Sequence, residues 1–370
     1  MSFLDHLEPS DEANMIRETA QRFVASVDES AIRTSDGCDP ARWAQMAELG
    51  WHGVLADAES GGLDLGGAEM AILAEAVGNA RLPEPFIASS ITALTALRQA
   101  GGARPLLRHV VEGSAILAPI GFGVPVGMTA LQVKGQTLSG SVMFCEIGPM
   151  TTDLIVYAEG DSAVLVHLPR ASEGVAITPF RGIDGRHFAR VDLVDVTIPA
   201  GAILAQGSEA SAAASMASAF GIAATCADAV GCMDRALALT GTYLNERKQF
   251  GSALASFQAL RHRFADVSVE AELSRSMAEL VSFAAQSVDD PTPLLDRARA
   301  RICRAAQAIG QATIQLHGGM GMTDEMAIGH YFRRLICIQA LLGQEAGSLR
   351  ARAKALSVEI AGDAALEIAQ

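Results

Sequence analysis

The sequence predicts an α+β fold that is mostly helical, with its strands confined to the middle of the chain. Three observations lead there. Apolar residues follow helical spacing from residue 12 to residue 111 and again after Gly207. Between these regions, residues 137–144, 153–158, 163–168 and 190–194 form short runs rich in β-forming side chains. No helix-length segment separates those runs, which argues against βαβ units and for a small antiparallel domain. The expected organisation is an N-terminal helical domain over residues 1–114, a middle antiparallel β-domain over 115–205 and a C-terminal four-helix bundle over 206–370.

In chain order, residues 12–27 place Met15, Ile16, Ala20, Phe23 and Val24 on one helix face. Pro40 opens a second helix and Gly50 stops it. Gly61-Gly62 and Gly66-Gly67 bracket a turn, after which residues 69–77 resume helical spacing. Residues 91–100 and 105–111 extend the helical set. In the strand region Asp184-Gly185 signals a turn, and Pro199-Ala200-Gly201 closes the segment. Residues 210–245 read as one long helix or two. Residues 257–288, 294–316 and 330–355 supply three more, with Gly343 a point of interruption in the last. Short links between long helices make an up-down bundle.

Composition narrows the function. The chain has 370 residues, 50% of them hydrophobic and 19% charged, so it folds and has room for more than one core. A net charge of −14 argues against nucleic acid or an anionic membrane surface as the main partner. The six cysteines show no Cys-x-x-Cys spacing, so no metal site is expected, and free thiols suit a cytoplasmic protein. The first ten residues are acidic and lack an apolar signal core. Two nearly uncharged stretches, 113–133 and 210–227, imitate membrane spans. Pro119 and Pro125 suit strands and loops in the first, and the alanine- and serine-rich second suits a tightly packed buried helix.

Two segments carry chemistry. Gln315-Leu-His-Gly-Gly-Met-Gly321 ends a long helix with three glycines, which free the backbone for a ligand's close approach. Alone, this is also how an ordinary helix C-cap looks. The second segment spans residues 246–258. Arg247 and Lys248 sit at a helix end, Phe250-Gly251 makes a turn, and Phe257-Gln258 opens the next helix. An arginine fork, an aromatic ring and the amides of Gln249 and Gln258 suit a nucleotide diphosphate. A capped helix hairpin with a cationic last turn is the plainer alternative.

Together these segments resemble the C-terminal domain of the acyl-CoA dehydrogenase family of flavoproteins. Trp43, Glu48-Leu49-Gly50, Gly61-Gly62 and Glu75-Ala76-Val77-Gly78 resemble its N-terminal domain in the same order. The resemblance implies an FAD enzyme that oxidises an acyl-CoA thioester at Cα–Cβ, with a glutamate as base and flavin N5 as hydride acceptor. It assigns Arg247, Gln249, Phe250 and Gln258 to an FAD-contacting turn. Gln315, Gly318 and Gly319 become a second contact, reaching a neighbouring subunit's cofactor. The glycine segment followed by His330-Tyr-Phe-Arg-Arg most resembles small subunits of bacterial acyl-CoA dehydrogenase pairs. A homo- or hetero-oligomer, such as a dimer of dimers, is implied, with an electron-transfer flavoprotein as electron acceptor.

The chain departs from the family pattern at the chemistry. The usual Glu-Gly-Thr base turn falls on Leu342-Gly343-Gln344, and the alternative base position on Gly221. The nearby acids that remain as candidate bases are Asp228 and Glu345. The family's flavin-contacting tryptophan and threonine fall on Phe144 and Glu146. Phe144 can still cover a ring by stacking, whereas an anionic Glu146 beside a flavin is unfavourable unless protonated or turned away. Two readings follow: an acyl-CoA dehydrogenase with a displaced base, or a non-catalytic subunit that completes a partner's FAD site.

Overall fold

Local caps set the first helices. In the computed structural model, which describes residues 10–28, 32, 37–101, 103–123 and 130–343, Ser10 Oγ accepts the Ala13 N–H at 3.0 Å and starts α1 (Asp11–Ser26). Asp39 caps α2 (Pro40–Glu48), with Pro40 in its first turn. The Glu69 carboxylate accepts the Gly66 N–H at 3.1 Å at the start of α3 (Gly67–Ala80). Phe86–Ala93 winds as a π-helix and runs straight into α4 (Leu94–Ala100). This helix begins earlier than residue 91, the expected start, because Phe86 and the serines after it are buried rather than left in a loop. Helix α5 (Arg104–Val111) completes the set.

Eight strands follow: β1 (Leu117–Ile120), β2 (Gln132–Lys134), β3 (Thr137–Cys145), β4 (Asp153–Gly160), β5 (Val164–Pro169), β6 (Val175–Arg181), β7 (His187–Thr197) and β8 (Ile203–Gln206). Their order is β6-β7-β3-β2-β4-β5-β8, with β1 added against β4. The sheet is mixed rather than purely antiparallel. Strands β1 and β2 both run parallel to β4, and the other pairings are antiparallel. Strands β6 and β8 were not among the expected runs, β6 being interrupted by Pro179 and β8 only four residues long, while β1 falls in the stretch 113–133 read as strands and loops without assigned bounds.

Alternation along β4 and β5 gives the sheet two buried faces. Leu154, Val156, Val164 and Val166 point into a core of the sheet's own. Ile155 and Leu165 join Leu117 and Ala205 in the large helical core. The sheet is thereby fastened to the helices by every second residue.

The bundle contains α6 (Gly207–Glu246), α7 (Gln258–Ser287), α8 (Thr292–His317) and α9 (Ala327–Leu341). Gly343, with φ of 81°, lies just beyond α9, and the rest of the expected last helix lies outside the described residues. Helix α6 is unbroken and central, packed by α3, α4, α7, α8 and α9. It is long and apolar enough to cross a membrane, yet 83% of that stretch is buried inside the protein. Its approach to α3 depends on two glycines. A Cβ on Gly78 would lie 1.9 Å from Asp228 O, and one on Gly231 would lie 2.0 Å from Glu75 O. Only glycine permits backbones this close.

One buried histidine makes the N-terminal helices pH-sensitive. His52 is fully buried, with Nε2 at 3.1 Å from Trp43 O and Nδ1 at 2.9 Å from Ser90 Oγ. The carbonyl can only accept, so Nε2 carries the proton and Nδ1 accepts from the serine. Burial lowers the His52 pKa from 6.5 to about 4, partly opposed by the Trp43 hydrogen bond. Because the folded pKa lies below the unfolded one, the unfolded chain takes up the proton first. Stability is full above pH 6.5 and is lost as pH falls toward about 4. The loss attributable to this residue is about 3 kcal/mol at the acid end. Urea midpoints measured at several pH values should show this slope in the native protein and a shallower one in His52→Gln.

Candidate functional site

The bundle end after α6 is built around a strained turn. Arg247 leaves the helix in an extended conformation, its N–H bonded to Tyr243 O at 2.9 Å. Strands β9 (Lys248–Gln249) and β10 (Ser252–Ala253) then pair antiparallel across Phe250-Gly251. Both turn residues have positive φ, 52° and 78°. Such turns match the twist of a hairpin, and glycine takes the second position freely. A phenylalanine in the first position is strained by roughly 1–3 kcal/mol, and the residue is 93% exposed. Strained backbone carrying an exposed aromatic is a mark of a binding surface. Phe257 then leads into α7, which begins at Gln258 with no side-chain cap. The first N–H groups and the positive end of the α7 dipole therefore lie beside the Arg247 turn.

The glycine loop joins the same end. Helix α8 stops at His317, and Gly318, with φ of 61°, enters a 3₁₀ turn over Gly318–Met322. Gly321 is needed for packing, since a Cβ there would sit 2.7 Å from Ile314 O. Gly318 and Gly319 have nothing within 4 Å of that position, so a ligand can approach their Cα atoms closely, while the Gly318 N–H is bonded to Gln315 O. Tyr243 locks the two segments together. Its hydroxyl donates to His317 O at 3.2 Å, and its ring stacks on the His317 ring at 4.4 Å. Burial lowers the His317 pKa, and its Nδ1 donates to Thr313 O at 2.8 Å, so the imidazole is a neutral spacer.

Arg247, Gln249, Phe250 and Gln258 thus gather with Gln315, Gly318 and Gly319 at one end of the bundle. An arginine fork, an open glycine loop and an uncapped helix N-terminus are groups whose chemistry suits a diphosphate. All seven residues are exposed in the single chain.

The candidate bases do not join them. Asp228 is fully buried in α6, and Arg334 of α9 donates to both of its oxygens, at 2.8 Å through Nη2 and 3.4 Å through Nε. A general base has to reach a substrate proton within hydrogen-bond distance. The Asp228 carboxylate is enclosed by protein and committed to Arg334, which corrects its expected role to that of a structural counter-ion. Glu345 lies outside the described residues. Leu342, at the usual base position, is buried, and a side chain at Gly221 would meet Thr92 Oγ1 at 2.5 Å.

Arg334 belongs to a longer ion chain. Its Nη1 lies 3.6 Å from Asp184, Asp184 accepts from Arg186 Nε at 2.7 Å, and Arg186 Nη1 lies 3.6 Å from Glu146. Burial opposes ionisation of Asp184, but Arg186 and Arg334 outweigh it and lower its pKa. For Glu146 burial wins, and its pKa is raised despite Arg186. Phe144, expected to cover a ring, has φ of 59° and leans edge-on against Phe180 at 5.5 Å.

Sequence reading missed this network. Asp184 had been seen only as a turn residue. Arg334 carried a usable signal, because it shares a buried stripe with Tyr331, Leu335 and Ile338. An arginine on such a stripe demands a buried acid.

Comparison with known proteins agrees with this architecture. Models of the acyl-CoA dehydrogenase N-terminal and C-terminal domains match residues 10–104 and 212–356. The chain belongs to the acyl-CoA dehydrogenase family. Acyl-CoA dehydrogenase IpdE2 of Mycobacterium tuberculosis is 27% identical over 342 residues, covering 89% of this chain and 92% of that protein. Among solved structures, the ChsE4-ChsE5 complex from Mycobacterium tuberculosis gives a TM-score of 0.85 at 22% identity over 96% of this chain and 99% of that one. Butyryl-CoA dehydrogenase from Megasphaera elsdenii gives 0.84 at 20% identity over 96% and 100%.

The Asp228–Arg334 pair makes a stability prediction. Removing one partner leaves a buried charge uncompensated, at a cost of about 3–5 kcal/mol. Asp228→Ala should lower the denaturation midpoint strongly, and Asp228→Leu combined with Arg334→Met should recover part of the loss.

Proposed function

We propose that this chain is a subunit of an FAD-dependent acyl-CoA dehydrogenase that desaturates an acyl-CoA thioester between Cα and Cβ, and that a partner subunit supplies the base. The observation that carries this reading is a contrast within one chain. Arg247 and the glycine loop lie exposed together at the bundle end, whereas the acid nearest the base position on α6 is locked to Arg334. FAD, when bound, supplies the two-electron acceptor. Arg247 would hold its diphosphate as a planar fork, the first turn of α7 would add N–H donors, and the open Gly318–Gly319 loop would let the ligand approach the backbone. Gln249, Gln258 and Gln315 offer amides around the same place, and Phe250 offers an apolar face.

The assembly we infer is an oligomer, because the exposed Phe250, Met320 and Met322 all lie at this bundle end. Two different subunits are favoured by the absence of a carboxylate at both usual base positions, Gly221 and Leu342. That a similar structure is itself the ChsE4-ChsE5 complex is consistent with this. An electron-transfer flavoprotein as acceptor and a cytoplasmic setting complete the proposal. We take the domain boundaries as 114/115 and 205/206, supported by the succession of helices, strands and helices and by the sheet's separate core.

Turnover of acyl-CoA substrates should be measured for the chain alone and for the chain mixed with a family partner. Activity only in the mixture, unaffected by Glu345→Gln, is the expected result. Turnover by the chain alone that disappears in Glu345→Gln overturns the partner-supplied base. Arg247→Ala should weaken flavin retention about tenfold to a hundredfold, the worth of a charge-assisted fork of about 1.5–3 kcal/mol. Visible flavin absorbance after gel filtration checks it, and unchanged occupancy removes Arg247 from the site.

A further inference from the structure

The flavin-ring end of the site does not match the diphosphate end. By resemblance, the ring would lie against Phe144 and Glu146 at the end of β3. There β3 carries a bulge between Val142 and Cys145, with Phe144 inside it in the left-handed region. A bulge adds a residue and re-aims the side chains beyond it. Phe144 leans onto Phe180 and Phe188, and Glu146 turns inward to Arg186. The Arg186 guanidinium packs over the Phe188 ring at 5.1 Å, and its Nη2 is buried with no hydrogen-bond partner. Side chains of Glu146, Asp184, Arg186, Arg334 and Asp228 are between 0% and 13% exposed.

We propose that this chain keeps no flavin-ring site of its own: the Glu146–Arg186–Asp184 ions fill that place with protein, and the chain serves only the diphosphate end of a partner's FAD. The inference rests on the reading above that the chain is a subunit of an FAD enzyme. A ring packed at the Glu146 position would abut this buried ion pair, whose side chains are 13% and 3% exposed, and room could be made there only by separating the pair and leaving two buried charges uncompensated. Arg186 cannot swing away, because Asp184 holds Nε and is itself held by Arg334, which Asp228 anchors in α6. Burial already raises the Glu146 pKa, and a reduced ring would add negative charge beside it.

Flavin counted against polypeptide in the purified complex tests this directly. The expected result is one FAD for each pair of this chain and its partner, with none retained by the chain alone. One FAD per polypeptide, or a stoichiometric FAD on the isolated chain, overturns the inference and leaves the FAD-enzyme reading intact. A complex with no FAD overturns that reading and the inference with it. Glu146→Gln in the complex gives a second readout. The visible flavin spectrum and midpoint potential should not move, while the denaturation midpoint should fall because Arg186 loses its partner. A shifted spectrum or potential places Glu146 beside a ring and overturns the proposal.

Discussion

Five ionic side chains buried in a row fix how the sheet meets the bundle. Glu146 directly follows β3, Asp184 and Arg186 lie in the β6–β7 connection, Arg334 is on α9 and Asp228 on α6. No member can be withdrawn without stranding a neighbour in a low-dielectric interior, where an unpaired charge is far more costly than in water. Apolar packing alone tolerates sliding by fractions of an ångström. A chain of buried ion pairs with defined partners, hydrogen-bonded at Arg186–Asp184 and Arg334–Asp228, does not, so it sets the register between the sheet, α6 and α9. Asp228 gains this precision from the helix it stands on: α6 is buried on all sides at that point, and the Gly78 and Gly231 crossings hold α3 against it.

Rigidity at the junction contrasts with openness at the bundle end. Around Tyr243 and His317 the contacts are few and specific, one hydrogen bond and one ring stack. They bring two loops together and leave their working faces in solvent. Phe250 is held in a strained conformation without burial to compensate within the chain. In the proposal above, the two places divide the labour of one cofactor site. One end presents donors and a cation, and the other is occupied by the protein's own charges. This division is the physical content of the proposal that the chain completes a neighbour's site.

Much of the fold was legible in one dimension. Helix starts at Pro40 and Gln258, the stop at Gly50, the Phe250-Gly251 turn and the four bundle helices all follow from local rules of capping, spacing and backbone freedom. The turn after Arg247 and the glycine loop were legible for the same reason, since each is a continuous stretch with its own local geometry. The parallel pairings of β1 and β2 with β4 were not, because strand direction in a sheet depends on connections that no short window contains. The winding of Phe86–Ala93 as a π-helix was hidden too, since it depends on burial against neighbouring elements.

By itself, then, the sequence determined the kinds of elements, their order, and the two loops from which the diphosphate proposal is built, because each depends on residues within a few positions of one another. Only the tertiary structure decided what Asp228 and Glu146 are for. An isolated acid in a helix reads equally as a base, a surface charge or a counter-ion. The choice is made by Arg334, 106 residues away, and by Arg186, across a strand pairing. The energy of a buried charge depends on what surrounds it in space, and that information exists only once the chain has folded.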